Sequence, residues 1–285
     1  MNINAVFVRS TDEYRAFEPD SPLRTILLSQ RATFVNRYTS QLKAYNNDHA
    51  AVKLGQSNPT FNSTIITVSS EFHVLKEYLN AVGFREMGLT TSNYKELAAH
   101  LFYSWICYHS IMGILRNAGQ KTGVCYFIDE SHIRLNDDDI MNYIKTLDLL
   151  DHDCAAKATK RFFQHSLEVA SQIHVARLDE CEHTVMYQIF ALKVAAKLFP
   201  DNKLFSEAIN DLFTHLQKHY EKSFDDPALK LGNMILMLSA LERSTVCFND
   251  YITELYLNGY STVLGKLVSE REEIELPKCK QEPQD

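Results

Sequence analysis

The chain has 285 residues, of which 45% are hydrophobic and 11% aromatic, enough to close a large core. A net charge of −7 leaves no basic footprint for nucleic acid. Only 9 glycines and 7 prolines are present, so long stretches run without a helix breaker.

The first 20 residues carry no clear periodicity and read as a flexible segment. Their start, "MNINAVFVRSTDEYR", lacks a basic stretch followed by an apolar block, so no secretory signal is expected. The segment "SPLRTILLSQRATFVNRYTSQLKAY" opens a helix, with Ser21 as cap and Pro22 at the first helical position. Residues 46 to 65 read as a polar connection in which Asn62-Ser63-Thr64 is a turn. "SSEFHVLKEYLNAVGF" is helical again, capped by Ser69 or Ser70.

From Leu97 to Leu115 no Asp, Glu, Lys or Arg occurs. Such a run is formally long enough to cross a membrane, but His100, Ser104, His109 and Ser110 in its middle are costly in hydrocarbon. A fully buried helix with no membrane contact is therefore expected. "GVCYFIDESHIRL", residues 123 to 135, carries the only convincing strand signal. From Asp137 onward, helix follows helix: "NDDDIMNYIKTLDLL", "ATKRFFQHSLEVASQIHV", "CEHTVMYQIFALKVAAKLF", "FSEAINDLFTHLQKHYEKSF" and a long rod from about Pro227 to Leu257. Leu231–Leu241 is a second uncharged run, apolar on nearly every side. Two such helices need cover on both faces, which three layers of helices provide and two do not. The expected fold is all-α: a three-layer antiparallel helical sandwich with one small β-turn or hairpin. Residues 269 to 285 are charged and aperiodic and read as a disordered tail.

None of the six cysteines, Cys107, Cys125, Cys154, Cys181, Cys247 and Cys279, belongs to a CxxC pair, so no zinc module is expected. "DHDC" (151–154) offers metal-ligand types without a partner cluster, and no metal or cofactor is implied. Asp138-Asp139-Ile140-Met141-Asn142 and Asn210-Asp211-Leu212-Phe213-Thr214 approach the two metal motifs of terpenoid synthases. Lys218 stands where the second needs a Glu, so the enzyme reading stays a remote alternative. There is no phosphate loop, GxSxG or HExxH, and no enzyme is expected.

"SSEFHVLKEYLNAVGFREMGLTTSNYKELAAHLFYSWICYHSIMGILRNAG" followed by "VCYFIDESHI" resembles the third to fifth helices and β-turn of a nuclear hormone receptor ligand-binding domain, of the divergent type expanded in nematodes. "QIFALKVAAKLFPDNKLFSEAINDLFTHLQKHY" and "PALKLGNMILMLSALERSTVCFNDYITEL" are similar to its eighth and ninth helices and its long tenth/eleventh helix. The resemblance spans residues 21 to 268, which it makes one ligand-binding domain. It implies a nuclear transcriptional regulator binding a small apolar ligand of fatty-acid or sterol type, or else a ligand-independent interaction module whose pocket is filled by its own side chains. Ligand contacts implied are Phe72 and Leu75, His109 and Met112, Phe127, Phe248 and Tyr251. Arg116 is implied either as a carboxylate anchor or as a helix-end Arg reaching solvent or Glu130.

The family pairs through its long helix, which implies a homo- or heterodimer surface around Leu229, Leu236 and Arg243. Without zinc modules, direct DNA binding by this chain is not implied. The coactivator clamp is weakened: Leu79 occupies the position of its Lys, with Asn80 beside it. In "TVLGKLV", Val263, Leu264, Leu267 and Val268 match the activation helix, with Lys266 in place of its Glu. Alternatively Val263–Val268 merely continues the preceding helix. Both readings imply weak contact with coregulators. Gln188 replaces a Glu of the family's eighth helix, so its usual ion pair is expected to be missing.

Overall fold

The computed structural model describes residue 17, residues 21–47 and residues 57–260. The fold is all-α with one small hairpin. Helix α1 runs over Pro22–Asn47, its first turn closed by the Ser21 carbonyl, which accepts from the amides of Arg24 and Thr25. Helix α2 spans Phe61–Ala81 and starts eight residues before the expected cap at Ser69. Thr60 and Ser63 form a reciprocal capping box instead, at 3.1 and 3.3 Å. Asn62-Ser63-Thr64 is therefore the first turn of a helix, and Ser69 and Ser70 hydrogen-bond back to the carbonyls of Ile65 and Thr67.

Helix α3, Thr91–Arg116, is capped by Thr90. After it come a short turn, α4 (Gly119–Thr122), and the hairpin of β1 (Val124–Tyr126) and β2 (His132–Arg134), paired antiparallel with Cys125 opposite Ile133. The strand signal of residues 123–135 thus forms the expected small hairpin, reversed through Glu130 at φ 63°. Helices α5 (Asp137–Ile144), α6 (His152–Val175) and α7 (Glu180–Leu198) each start on an Asx cap: Asn136, Asp151 and Asp179. Helix α8 covers Leu204–Ser223, and α9 covers Pro227–Leu257 with Asp226 as cap and proline at its first position.

Helices α1 and α2 form one face and α6 and α9 the other. Between them lie α3 and α7, with α8 along one edge. Helix α3 is the hidden rod anticipated from its sequence, buried almost all round. The second uncharged run is not hidden. On α9, Leu229 and Leu236 are 60% and 63% exposed, and Ile235 and Val246 are exposed as well. The second hidden helix is α7, where every residue from Cys181 to Leu192 is buried. No helix among the described residues is long and apolar enough to cross a membrane.

Across the first two layers runs a buried ionic network. Arg37 of α1 donates from Nε to Glu71 Oε1 of α2 at 2.7 Å, and Trp105 of α3 donates to Glu71 Oε2 at 2.8 Å. The Arg37 guanidinium stacks between Phe34 and Trp105, 5.4 Å from each ring, and its Nη1 lies 3.3 Å from His109 Nδ1. Burial, reinforced by Arg37 and Arg116, pushes the His109 pKa well down. Its imidazole is therefore neutral, and Nδ1 accepts from the guanidinium.

Candidate functional site: an aromatic chamber and a polar cleft

Where α2, α6 and α9 diverge below α3, the hairpin closes an apolar chamber. Helix α2 supplies Phe61, Thr64 and Val68, and α3 supplies Tyr103, Ile106, Ser110 and Ile114 along one face. The hairpin contributes Cys125 and Phe127, and α6 contributes Phe162, Phe163 and Ser166. Helix α9 completes the wall with Phe248, Tyr251 and Ile252. The rings pack on one another: Phe162 stacks on Tyr251 at 5.1 Å, Phe127 stacks on Tyr143 at 5.4 Å, and Tyr103 meets Phe248 edge-on at 5.3 Å. About 60 Å³ remains free between them.

The thiol and phenols of the wall keep their protons. Burial pushes the Cys125 thiol up to about 12, and it donates to the Phe163 carbonyl at 3.5 Å. Burial likewise raises the phenols of Tyr143 and Tyr251, the latter 3.3 Å from Thr159 Oγ1. At the lid, Asp129 accepts from Thr67 Oγ1 at 3.2 Å and from the Ser131 amide at 3.0 Å, which ties the hairpin to α2. Such a wall has the chemistry of a site for an apolar body.

Of the eight contacts expected from sequence, Phe127, Phe248 and Tyr251 lie in this wall. Phe72 packs edge-on against Phe102 at 5.5 Å with Lys76 over its ring, and Leu75 is sealed in the core. His109 belongs to the Arg37 network. Met112 and Arg116 face a separate cleft between α1, α3, α6 and α7, where the Arg116 guanidinium sits 4.8 Å over the Phe34 ring. Thr64, Tyr103, Ile106, Ser110 and Phe162 are wall residues that the sequence reading missed. Their signal, an i, i+3, i+7 face on α3, exists only once the phase of that helix is known.

No protein-family model and no curated protein matches this chain.

Among the described residues no group of three or more His, Cys, Asp or Glu could hold a metal ion. Asp151 of "DHDC" caps α6 by accepting from the Cys154 amide. In the "NDDD" run, Asn136 accepts from the Asp139 amide at 2.8 Å, and Asp137 pairs with Lys160 at 2.6 Å. The five described cysteines are free thiols. Gln188 is buried and its Oε1 accepts from Tyr78 at 3.1 Å, a neutral contact between α7 and α2. Leu79, at the clamp position, is fully buried, whereas Asn80 beside it is exposed. Of the expected dimer surface, Leu229, Leu236 and Arg243 are all exposed on α9. The activation residues Val263, Leu264, Lys266, Leu267 and Val268 lie outside the described residues, as do the expected N-terminal segment apart from residue 17 and the expected C-terminal tail.

Proposed function

We propose that this chain is a ligand-binding domain of the nuclear hormone receptor type, acting as a transcriptional regulator in the nucleus with a small lipophilic molecule as its ligand. The observation that carries the reading is the aromatic chamber. Its walls come from α2, α3, the hairpin, α6 and α9, and it sits under a lid hydrogen-bonded to α2. An apolar enclosure with few polar points suits a molecule with a largely apolar body. Sites for such molecules hold roughly 300–1,000 Å³, so the approximately 60 Å³ left free here must widen on binding.

A second reading is favoured by the exposed face of α9. Leu229 and Leu236 lie two turns apart, and Ile235 and Val246, three turns apart, lie on the adjoining side, an exposed apolar surface more typical of an interface than of a solvated helix. A second copy packed antiparallel about Leu236 would bring Arg243 opposite Leu229 and the acidic start of the helix, Asp225 and Asp226. In this reading the chain is a pairing module whose chamber is filled by its own rings.

Native mass spectrometry of the purified chain, followed by solvent extraction, tests both. The ligand reading expects a stoichiometric adduct that leaves on denaturation and is recovered as a lipophilic compound; a bare mass with an empty extract contradicts it. The pairing reading expects a dimer that Leu236→Glu converts to monomer without lowering the melting temperature; a monomer for the unaltered chain contradicts that.

A further inference from the structure

The Ser and Thr hydroxyls in the wall of the aromatic chamber are not alike. Thr64 and Ser166 turn theirs back onto the carbonyls of Thr60 and Phe162, at 3.2 and 3.1 Å. Thr67 donates to the buried Asp129 carboxylate at 3.2 Å. Ser110 of α3 lines the same space, and its hydroxyl has no hydrogen-bond partner among the described residues. A serine inside a helix ordinarily folds its hydroxyl back onto the carbonyl one turn before it, or gives it to water. Ser110 is half-buried at the chamber, so both its donor and its acceptor are open to a guest.

The wall is also without charge. Among the described residues, no Lys, Arg, His, Asp or Glu lines the chamber. Arg116, two residues beyond Ile114 of the wall, faces the other cleft and lies over the Phe34 ring. The charge buried at the lid is negative: Asp129 follows Ile128 of the wall and is 4% exposed. Burial first, then Tyr251, then Asp129 raise the Tyr143 phenol, so that negative charge is felt at the wall. A carboxylate entering here would lose its water beside a like charge, with no cation to meet it. A hydroxyl or a carbonyl costs far less to bury and finds an open partner in Ser110.

We propose that the chamber selects neutral lipophiles carrying a hydroxyl or a carbonyl, anchored by Ser110, and turns carboxylic acids away. The inference rests on the chamber being the ligand site. It narrows the two ligand types implied by the sequence to the neutral one.

The test is titration of the full isoleucine-methyl-labelled chain with three probes of one shape: 4-phenylbutan-1-ol, 4-phenylbutanoate and butylbenzene. NMR reads both affinity and place. The alcohol is expected to bind saturably and to shift the methyls of Ile106 and Ile252, both in the wall. The carboxylate is expected to bind there at least about a hundredfold more weakly. Ser110→Ala is expected to weaken the alcohol about threefold to tenfold and to leave butylbenzene unchanged. That variant removes a hydroxyl with no partner, so it should melt as the unaltered chain does. Carboxylate binding in the chamber within about tenfold of the alcohol overturns the proposal. So does an alcohol affinity indifferent to Ser110→Ala; with butylbenzene still shifting Ile106 and Ile252, the chamber stands as a lipophile site and only its selectivity falls. Unmoved methyls with all three probes overturn the selectivity and the ligand reading together.

Discussion

Replacing Glu71 by alanine is expected to lower the stability of the fold by about 3–5 kcal/mol, because it leaves the buried Arg37 guanidinium and the Trp105 indole N–H without their acceptor. Both partners of the ion pair are almost completely buried, so water cannot replace the lost carboxylate. The loss is the cost of an orphaned charge and does not measure the strength of the pair. The double variant Arg37→Met/Glu71→Leu removes both charges and is expected to recover most of the stability, since a buried pair rarely outperforms apolar residues of similar size. Urea denaturation of the three proteins measures this directly. A loss below about 1 kcal/mol for Glu71→Ala, the level of an exposed ion pair, would contradict the burial of the network.

Gly119→Ala is the second large effect. A Cβ at position 119 would lie 2.2 Å from the Val124 carbonyl oxygen and 3.2 Å from both Ile114 Cγ2 and Tyr126 Cε2. The near neighbour is backbone and cannot rotate away. The chain also has little slack here, because Ala118 and Gly123 on either side of the short α4 turn are both left-handed, at φ 52° and 68°. Helix α4 or the hairpin must shift, at a cost of about 3 kcal/mol or more. Since β1 forms part of the chamber wall, the shift also loosens the lid. Gly232→Ala on α9 is the control: a Cβ there meets nothing within 4 Å, and the substitution should stabilise the helix by up to about 1 kcal/mol. Equal melting temperatures for the two variants would contradict the packing at the hairpin.

Helix starts were legible where the capping chemistry is sharp: Ser21-Pro22 and Asp226-Pro227 mark the first turns of α1 and α9. The start of α2 was hidden because Asn62, Ser63, Thr64 and Thr67 look like a polar loop. In the fold the hydroxyls of Ser63, Thr64 and Thr67 turn back onto backbone carbonyls, so the segment is buried. The hidden middle layer was half legible. An uncharged run identifies α3, but the same rule picks α9, whose apolar excess lies on the surface. It passes over α7, where Glu182, His183 and Gln188 are buried polar residues that disguise a hidden helix.

The chamber illustrates the same limit. Helix α3 is apolar on all sides, so its periodicity carries no phase, and nothing in the sequence distinguishes the Trp105–His109–Met112 face from the Tyr103–Ile106–Ser110 face. The expected contacts fell on the former, which serves the ionic network and the polar cleft. Phe248 and Tyr251 on the C-terminal half of α9, implied as contacts by the resemblance alone, do line the chamber. Glu71 went unread, although it falls in step with Val68, Val74, Leu75 and Tyr78 on the buried stripe of α2, where a lone carboxylate demands a cationic partner.

The aromatic chamber is proposed to admit a lipophilic guest. Titration of the isoleucine-methyl-labelled chain with the neutral lipophile 1-dodecanol, followed by NMR, reports on this at the wall itself, because Ile106, Ile114, Ile128 and Ile252 all line the chamber. Saturable shifts of these four methyls, with the exposed Ile235 on α9 unmoved, are the predicted result. Unchanged chamber methyls throughout the titration, or shifts confined to Ile235, would contradict the claim and leave the chamber as packed core.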